Sequence, residues 1–125
     1  MKYLLDVNLL LAAIWVNHSR HAEVFAWLPG KSLVVCPLCE LGFLRISTNK
    51  RAINAPMAEA RALFERFLRE RSVERISDDL PALEVRCQTS EQVTDHYLAE
   101  LAARHGLKLA TLDRNLAHLN AEIIA

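Results

Sequence analysis

The first fifteen residues constrain the fold of this chain more than any other stretch. A short apolar run at residues 2–5 ends at Asp6, and apolar residues at helical spacing follow as far as Trp15. This pattern is typical of a buried strand, a tight turn and a helix. Asp6 is therefore predicted at the carboxyl end of the first strand, where open parallel α/β sheets bind ligands. The alternative at this point is that Asp6 only caps the helix that it precedes.

The same alternation of strand and helix patterns recurs along the chain. Further strands are predicted at residues 32–36, 72–76, 108–112 and 122–124, and further helices from about residues 18, 37, 57, 81 and 89. The last of these helices is predicted to open with a Thr89-x-x-Gln92 capping box and to stop at Gly106. Helices between strands require crossover connections, which predicts a three-layer α/β/α fold with a mostly parallel sheet of about five short strands. At 125 residues, we expect one domain over residues 1–125.

The charge balance and the hydropathy pattern exclude several classes of protein. Fifteen Lys and Arg residues balance fifteen Asp and Glu residues, so any polyanion partner must meet a local patch and not a broadly basic surface. No apolar run approaches the length of a membrane span, and the N-terminus does not resemble a secretory signal, so a cytoplasmic location is expected. The odd number of cysteines, three, argues against a disulfide framework.

Four acids follow strands or lie near the starts of helices: Asp6, Glu40, Asp95 and Asp113. Because parallel strands end at the same edge of a sheet, these acids are predicted to lie together. On a helical wheel Asp95 falls within about 60° of the centre of its helix's apolar stripe. Carboxylates in such places are usually paired, protonated or bound to a metal ion.

A divalent cation is the counter-charge that this pattern favours. Two carboxylates about 5 Å apart repel by roughly 3 kcal/mol at an effective dielectric constant of 20. No Lys or Arg adjoins Asp6 or Asp113 on the strand side. Mg²⁺ or Mn²⁺ suits ligation by oxygen alone, and either ion activates water toward a phosphodiester. Asn8 and Thr111 are predicted to hold the acids in orientation.

Four motifs carry a resemblance to a known family, and together they span most of the chain. They are Leu4-Leu5-Asp6-Val7-Asn8-Leu9-Leu10, Glu40-Leu41-Gly42-Phe43-Leu44-Arg45-Ile46-Ser47-Thr48-Asn49, Thr94-Asp95-His96-Tyr97-Leu98 and Leu109-Ala110-Thr111-Leu112-Asp113. In this order and spacing they resemble the PIN-domain ribonucleases, specifically the VapC-type toxins of bacterial toxin–antitoxin pairs.

The resemblance implies a Mg²⁺- or Mn²⁺-dependent endoribonuclease that hydrolyses RNA phosphodiester bonds. It implies an acidic pocket of Asp6, Glu40, Asp95 and Asp113, with the three aspartates chiefly as metal ligands and Glu40 as a ligand or a base. It also implies a homodimer, and a VapB-like antitoxin that blocks the site and binds operator DNA. Some relatives have a further acid shortly after the position of Asp113, where this chain has Asn115, so the number of metal ions stays open.

A local basic cluster offers a contact for RNA. Arg45, Lys50 and Arg51 follow one another without an intervening acid. They are candidates for binding RNA phosphates beside the pocket. The alternative is a solvated turn.

Cys36-Pro37-Leu38-Cys39 suggests a different kind of enzyme. A Cys-x-x-Cys at a helix start is the signature of a thiol–disulfide oxidoreductase. Such an enzyme has no need of the four acids, and the alternative is that Cys36 and Cys39 are two small buried hydrophobic residues.

A second alternative is a doubly wound binding or phosphoacceptor domain, in which Asp6 would take a phosphoryl group. Such domains usually have an acid or a Thr close behind the nucleophile and a Lys in the site. This chain has Asn8 there and no Lys in a suitable place.

Overall fold

Five short strands form one parallel sheet in the computed structural model, which describes residues 1–124. The strands are β1 (Lys2–Leu5), β2 (Ser32–Val35), β3 (Glu74–Arg75), β4 (Lys108–Thr111) and β5 (Ala121–Ile123). Their order across the sheet is β3-β2-β1-β4-β5, and each neighbouring pair is parallel. Leu4 of β1 pairs with Val34 of β2 on one side and with Leu109 of β4 on the other. The predicted parallel α/β architecture is confirmed.

Five helices cover the sheet. They are α1 (Val7–Ile14), α2 (His21–Trp27), α3 (Pro37–Thr48), α4 (Met57–Glu70) and α5 (Val93–Arg104). The chain moves from β1 outward to β2 and β3, and then returns through α5 to β4 on the other side of β1. Because such crossovers are right-handed, α5 lies on the opposite face of the sheet from α1 to α4. None of the helices in residues 1–124 has the length and apolarity that crossing a membrane requires.

The core is built around β1 because it is the central strand. Tyr3, Leu4 and Leu5 are all buried, as expected of a strand in a parallel sheet that is covered on both faces. The direction of winding reverses between β1 and β4, so the carboxyl ends of these two strands form the topological switch point of the sheet. Ligand sites in open α/β sheets occur at this point.

The structure corrects three of the predicted elements. The helix predicted from Pro81 is a single 3₁₀ turn at Ala82–Glu84. The Thr89 capping box is wrong, because Thr89 makes no side-chain cap bond and a 3₁₀ turn at Ser90–Gln92 precedes α5. The strand predicted at residues 72–76 shortens to the two residues of β3. Residues 77–92 are mostly exposed, and a segment without a buried face lacks the packing that stabilises regular helices in proteins.

Candidate functional site

Asp6 lies at the junction of β1 and α1 and is almost fully buried, with 2% of its surface exposed. Its Oδ1 accepts the backbone N–H of Val7 at 2.8 Å, which caps α1. Its Oδ2 accepts the hydroxyl of Thr111 at 2.7 Å. Burial raises the pKa of Asp6 above its usual range, the two hydrogen bonds oppose that rise, and the charge of Asp113 adds to it. Asp6 is thus a helix cap and also a member of an acidic cluster.

The end of β4 holds the second acid. The backbone N–H of Asp113 donates to the Thr111 hydroxyl oxygen at 3.0 Å, and Asp113 Oδ1 accepts the backbone N–H of Asn115 at 2.9 Å. Asn8 reaches across from α1, where its Oδ1 accepts the backbone N–H of Leu112 at 3.2 Å. Thr111 and Asn8, which were predicted to orient the acids, therefore connect the two strand ends through their side chains. The backbone of Asn115 holds Asp113 within its own loop.

Asp95 supplies the third acid from the first turn of α5, where it is half-buried. Burial, the negative charges of Asp6 and Asp113, and a hydrogen bond with Asp113 raise the pKa of Asp95 to about 7. Negative charges raise the pKa of a carboxyl in this way only when they lie close to it. The structure therefore brings three of the four predicted acids together at the switch point.

The three aspartates supply the kind of oxygen ligand that a hard divalent cation prefers. None of them forms an ion pair with a Lys, Arg or His side chain in the described part of the chain. As they are placed, no three His, Cys, Asp or Glu side chains within residues 1–124 form a group that could hold a metal ion by themselves. Mg²⁺ typically takes one or two carboxylates and keeps several waters, so an open set of carboxylate oxygens without a counter-charge suits it.

An open cleft of about 440 Å³ exposes this acidic edge. Asp6, Asp95 and Arg45 of α3 are among the residues that line it, whereas Asp113 is not. Lys50 and Arg51 lie in the exposed turn after α3 and do not line the cleft. The structure therefore separates the predicted basic cluster into one residue at the cleft and two beyond it.

Comparison with known proteins agrees with the fold and identifies the family. A sequence profile described as the PIN domain matches residues 3–122. The chain belongs to the PIN-domain family. Among curated relatives, Ribonuclease VapC38 of Mycobacterium tuberculosis is 36% identical over 123 residues, which cover 88% of this chain and 84% of that protein. Ribonuclease VapC39 of the same species is 31% identical over 128 residues, which cover 94% of this chain and 92% of that protein.

A solved structure shows the same PIN fold. The structure of VapBC2 from Rickettsia felis, bound to a DNA fragment from their promoter, contains a chain that matches with a TM-score of 0.61. The match covers 90% of this chain and 89% of that chain, at 15% sequence identity. At that identity the similarity establishes the fold alone.

Glu40 of this PIN domain lies apart from the three aspartates. Its Oε2 is 2.9 Å from Nε of Arg75 on β3, an ion pair in which this buried oxygen still accepts no well-aligned hydrogen bond, and its side chain is 29% exposed. Together with Leu44 it lines a separate cavity of about 320 Å³. At 100° per residue, Glu40 lies about 140° around α3 from Arg45, which lines the cleft. The sequence contained no signal for this ion pair, since Arg75 is one of many charged residues in its region.

Close packing between α1 and α3 positions the cleft wall beside Asp6. A Cβ added to Gly42 would lie 2.5 Å from Cγ2 of Val7, which is the first residue of α1. Glycine is therefore needed at this position for the two helices to approach. This contact keeps α3 next to the acid that caps α1.

The Cys-x-x-Cys pair is buried in this PIN domain. Cys36 and Cys39 are free thiols whose sulfurs lie 3.5 Å apart, and 1% and 0% of their surfaces are exposed. The hydrogen bond with Cys39 lowers the pKa of Cys36 to about 7. A thiol must reach its substrate to exchange disulfides, so this burial favours the packing interpretation over the oxidoreductase.

Proposed function

We propose that this PIN domain is a metal-dependent endoribonuclease, the toxin of a VapBC-type toxin–antitoxin pair, acting as a single domain. The observation that carries the proposal is the meeting of Asp6, Asp95 and Asp113 at the switch point without a cationic partner. Relatives named Ribonuclease VapC, similar over most of this chain, support RNA as the substrate.

We assign the three aspartates to the binding of Mg²⁺ or Mn²⁺. When bound, the ion supplies positive charge for the phosphodiester and lowers the pKa of a bound water. Thr111 keeps Oδ2 of Asp6 in place through its 2.7 Å hydrogen bond. Asp95, with a pKa of about 7, gives up its proton as the ion binds, so binding strengthens as the pH rises.

The cleft also contains a basic residue that could contact the RNA backbone. Arg45 lines the same cleft as Asp6 and Asp95 and is suited to hold a phosphate of the RNA backbone. Lys50 and Arg51 would meet RNA only where it leaves the cleft. Glu40 is paired with Arg75, so we place it outside the set of ligands and expect it to contribute less than the aspartates.

The proposed partners follow from the relatives. The Rickettsia felis structure is of VapBC2 bound to promoter DNA. A VapB-like antitoxin that covers the acidic cleft, and a homodimer of this chain, are the corresponding proposals here. Both the antitoxin and the RNA would be met in the cytoplasm.

Cleavage of total cellular RNA tests this function. We expect the purified chain to give discrete fragments with Mg²⁺ or Mn²⁺, and none with EDTA or with the Asp6→Asn variant. Glu40→Gln should cleave more slowly than wild type but faster than Asp6→Asn. Asp79→Asn, which removes an acid remote from the cleft, should cleave like wild type. A folded wild-type chain that yields no metal-dependent fragments, or an Asp6→Asn variant of full activity, would exclude the proposal.

A further inference from the structure

A second cavity adjoins the acidic cleft. It has a volume of about 390 Å³, and Leu38 and Thr94 line both it and the cleft. Asp95 of the cleft directly follows Thr94 in α5, so the two spaces share a wall beside the acids. A chain of nucleotides held in the cleft would therefore have this cavity next to its reacting phosphate.

The walls of the second cavity suit a flat ring. Leu38, Leu80, Val85 and Val93 provide apolar side chains on several sides. The space is large enough for a single base, since pockets for small molecules begin at roughly 300 Å³. Single-stranded RNA is read by bases that leave the stack and enter such pockets.

The segment that closes this cavity is held by Tyr97. Its hydroxyl donates to the carbonyl of Leu80 at 2.7 Å and lies 3.2 Å from that of Asp78. Tyr97 itself is buried in α5. The backbone around residue 78 is thereby tied to the same helix that carries Asp95.

Asp78 is the acid of this cavity, and it is available to a ligand. Its carboxylate makes no hydrogen bond or ion pair with any side chain in residues 1–124, whereas the adjacent Asp79 lies 2.8 Å from His105 and 3.5 Å from Arg104. After burial, the charge of Asp78 is the next largest cause of the raised pKa of Tyr97. Asp78 and Tyr97 both line this cavity, so the acid lies at the wall that Tyr97 forms.

We propose that this cavity binds a guanine base next to the phosphodiester that is cleaved, with Asp78 accepting its N1–H and N2–H groups. An ionised carboxylate only accepts hydrogen bonds, and it has two oxygens side by side. Guanine presents two adjacent N–H donors on its Watson–Crick edge, whereas adenine, cytosine and uracil place an acceptor beside their donor. This inference rests on the proposed ribonuclease function and adds a base preference to it.

The cleavage arm of the test uses a short single-stranded RNA with one guanine in an otherwise guanine-free sequence. A second RNA has adenine in place of this guanine. Wild type should cut beside the guanine at least about tenfold faster than beside the adenine, which is the discrimination expected of one bidentate contact to a base. Inosine, which lacks the N2 amino group, should fall between the two. Asp78→Asn should cut both RNAs at similar rates, and Asp79→Asn should keep the wild-type preference.

The binding arm separates failure of the subsite from failure of the proposed function. Fluorescein-labelled guanine and adenine RNAs are titrated into Asp6→Asn and into the Asp6→Asn/Asp78→Asn double variant. Tighter binding of the guanine RNA only when Asp78 is present supports the subsite, even for a chain that cleaves no RNA. Equal binding of the two RNAs by Asp6→Asn, or a guanine preference that survives Asp78→Asn in either arm, overturns it.

Discussion

The hydroxyl of Thr111 donates to Oδ2 of Asp6 at 2.7 Å across 105 positions of sequence. The hydroxyl oxygen of Thr111, Oγ1, also accepts the backbone N–H of Asp113 at 3.0 Å. One buried hydroxyl thus connects two of the three acids at the ends of β1 and β4. It also supplies one of the two hydrogen bonds that lower the pKa of a carboxyl otherwise raised by burial.

Replacing Thr111 by valine should therefore damage both the fold and the ion site. Valine keeps the shape of the threonine side chain but lacks its hydroxyl, so Oδ2 of Asp6 and the N–H of Asp113 lose their hydrogen-bond partner. This loss should lower the free energy of unfolding by about 1–3 kcal/mol. Loss of such an orienting group typically weakens metal binding about 10- to 100-fold. Urea unfolding and Mn²⁺ titration measure the two effects. Thr111→Ser, which keeps the hydroxyl, should stay near wild type, and a Thr111→Val variant that matches wild type in both assays would contradict the assignment.

Stability of the metal-free protein should fall between about pH 4 and pH 7 through the contribution of Asp95. Its pKa is about 7 in the folded chain against an ordinary value of 3.8 for an exposed aspartate, so the folded state holds a proton that the unfolded state has lost. The stability that this proton contributes is fully present below the pKa of the unfolded state and is lost as the pH rises through the pKa of the folded state. Asp95→Asn should remove this contribution and be more stable than wild type at pH 7.5 without metal.

Thermal unfolding of wild type and Asp95→Asn at pH 5 and pH 7.5 measures the effect. The lowered pKa of His18 acts in the opposite direction in part of this range, but it is common to both proteins and cancels in their difference. Mg²⁺ should raise the midpoint of wild type more at pH 7.5 than at pH 5. The same difference between the two proteins at both pH values would contradict the prediction.

Arg45 should matter for RNA binding more than Arg51 does. Arg45 lines the cleft that contains Asp6 and Asp95, whereas Arg51 is exposed in the turn after α3. Removing a phosphate contact weakens binding at all sequences and flattens its dependence on salt. We expect Arg45→Ala to raise KM and to lower the salt slope by about one unit, with Arg51→Ala as the matched control. Equal effects of the two variants would place the RNA elsewhere.

Gly42→Ala should destabilise the protein through its contact with Val7. The added methyl would lie 2.5 Å from Cγ2 of a β-branched side chain with little freedom to move. Overpacking of this kind typically costs about 1–3 kcal/mol, more than the 0.5–1 kcal/mol or so that alanine contributes over glycine in a helix. The double variant Val7→Ala/Gly42→Ala should recover part of the loss in urea unfolding. Additive losses in the double-mutant cycle would show that the clash is not the cause.

The order of elements and the three aspartates were predictable from the sequence because each depends on local patterns. The run at residues 2–5 is apolar since β1 is covered on both faces, and the strand must end where Asp6 begins the turn into α1. Local signals were weaker in residues 77–92, which are mostly exposed and have no apolar periodicity. The helix predicted there is only a 3₁₀ turn, and Thr89 does not cap a helix. There the sequence pattern resembled a helix that no packing supports.

Only the tertiary structure decided which distant groups meet. The pairing of Glu40 with Arg75 depends on which way α3 is rotated against the sheet, and the close approach of Gly42 to Val7 is part of the packing that holds α3 in place. The elevated pKa of Asp95 likewise needs α5 to approach the ends of β1 and β4 from the opposite face of the sheet. Sequence patterns specify the elements because propensity and burial act over neighbouring residues. The electrostatics of the site come from distances between elements, which the packing of the whole chain sets.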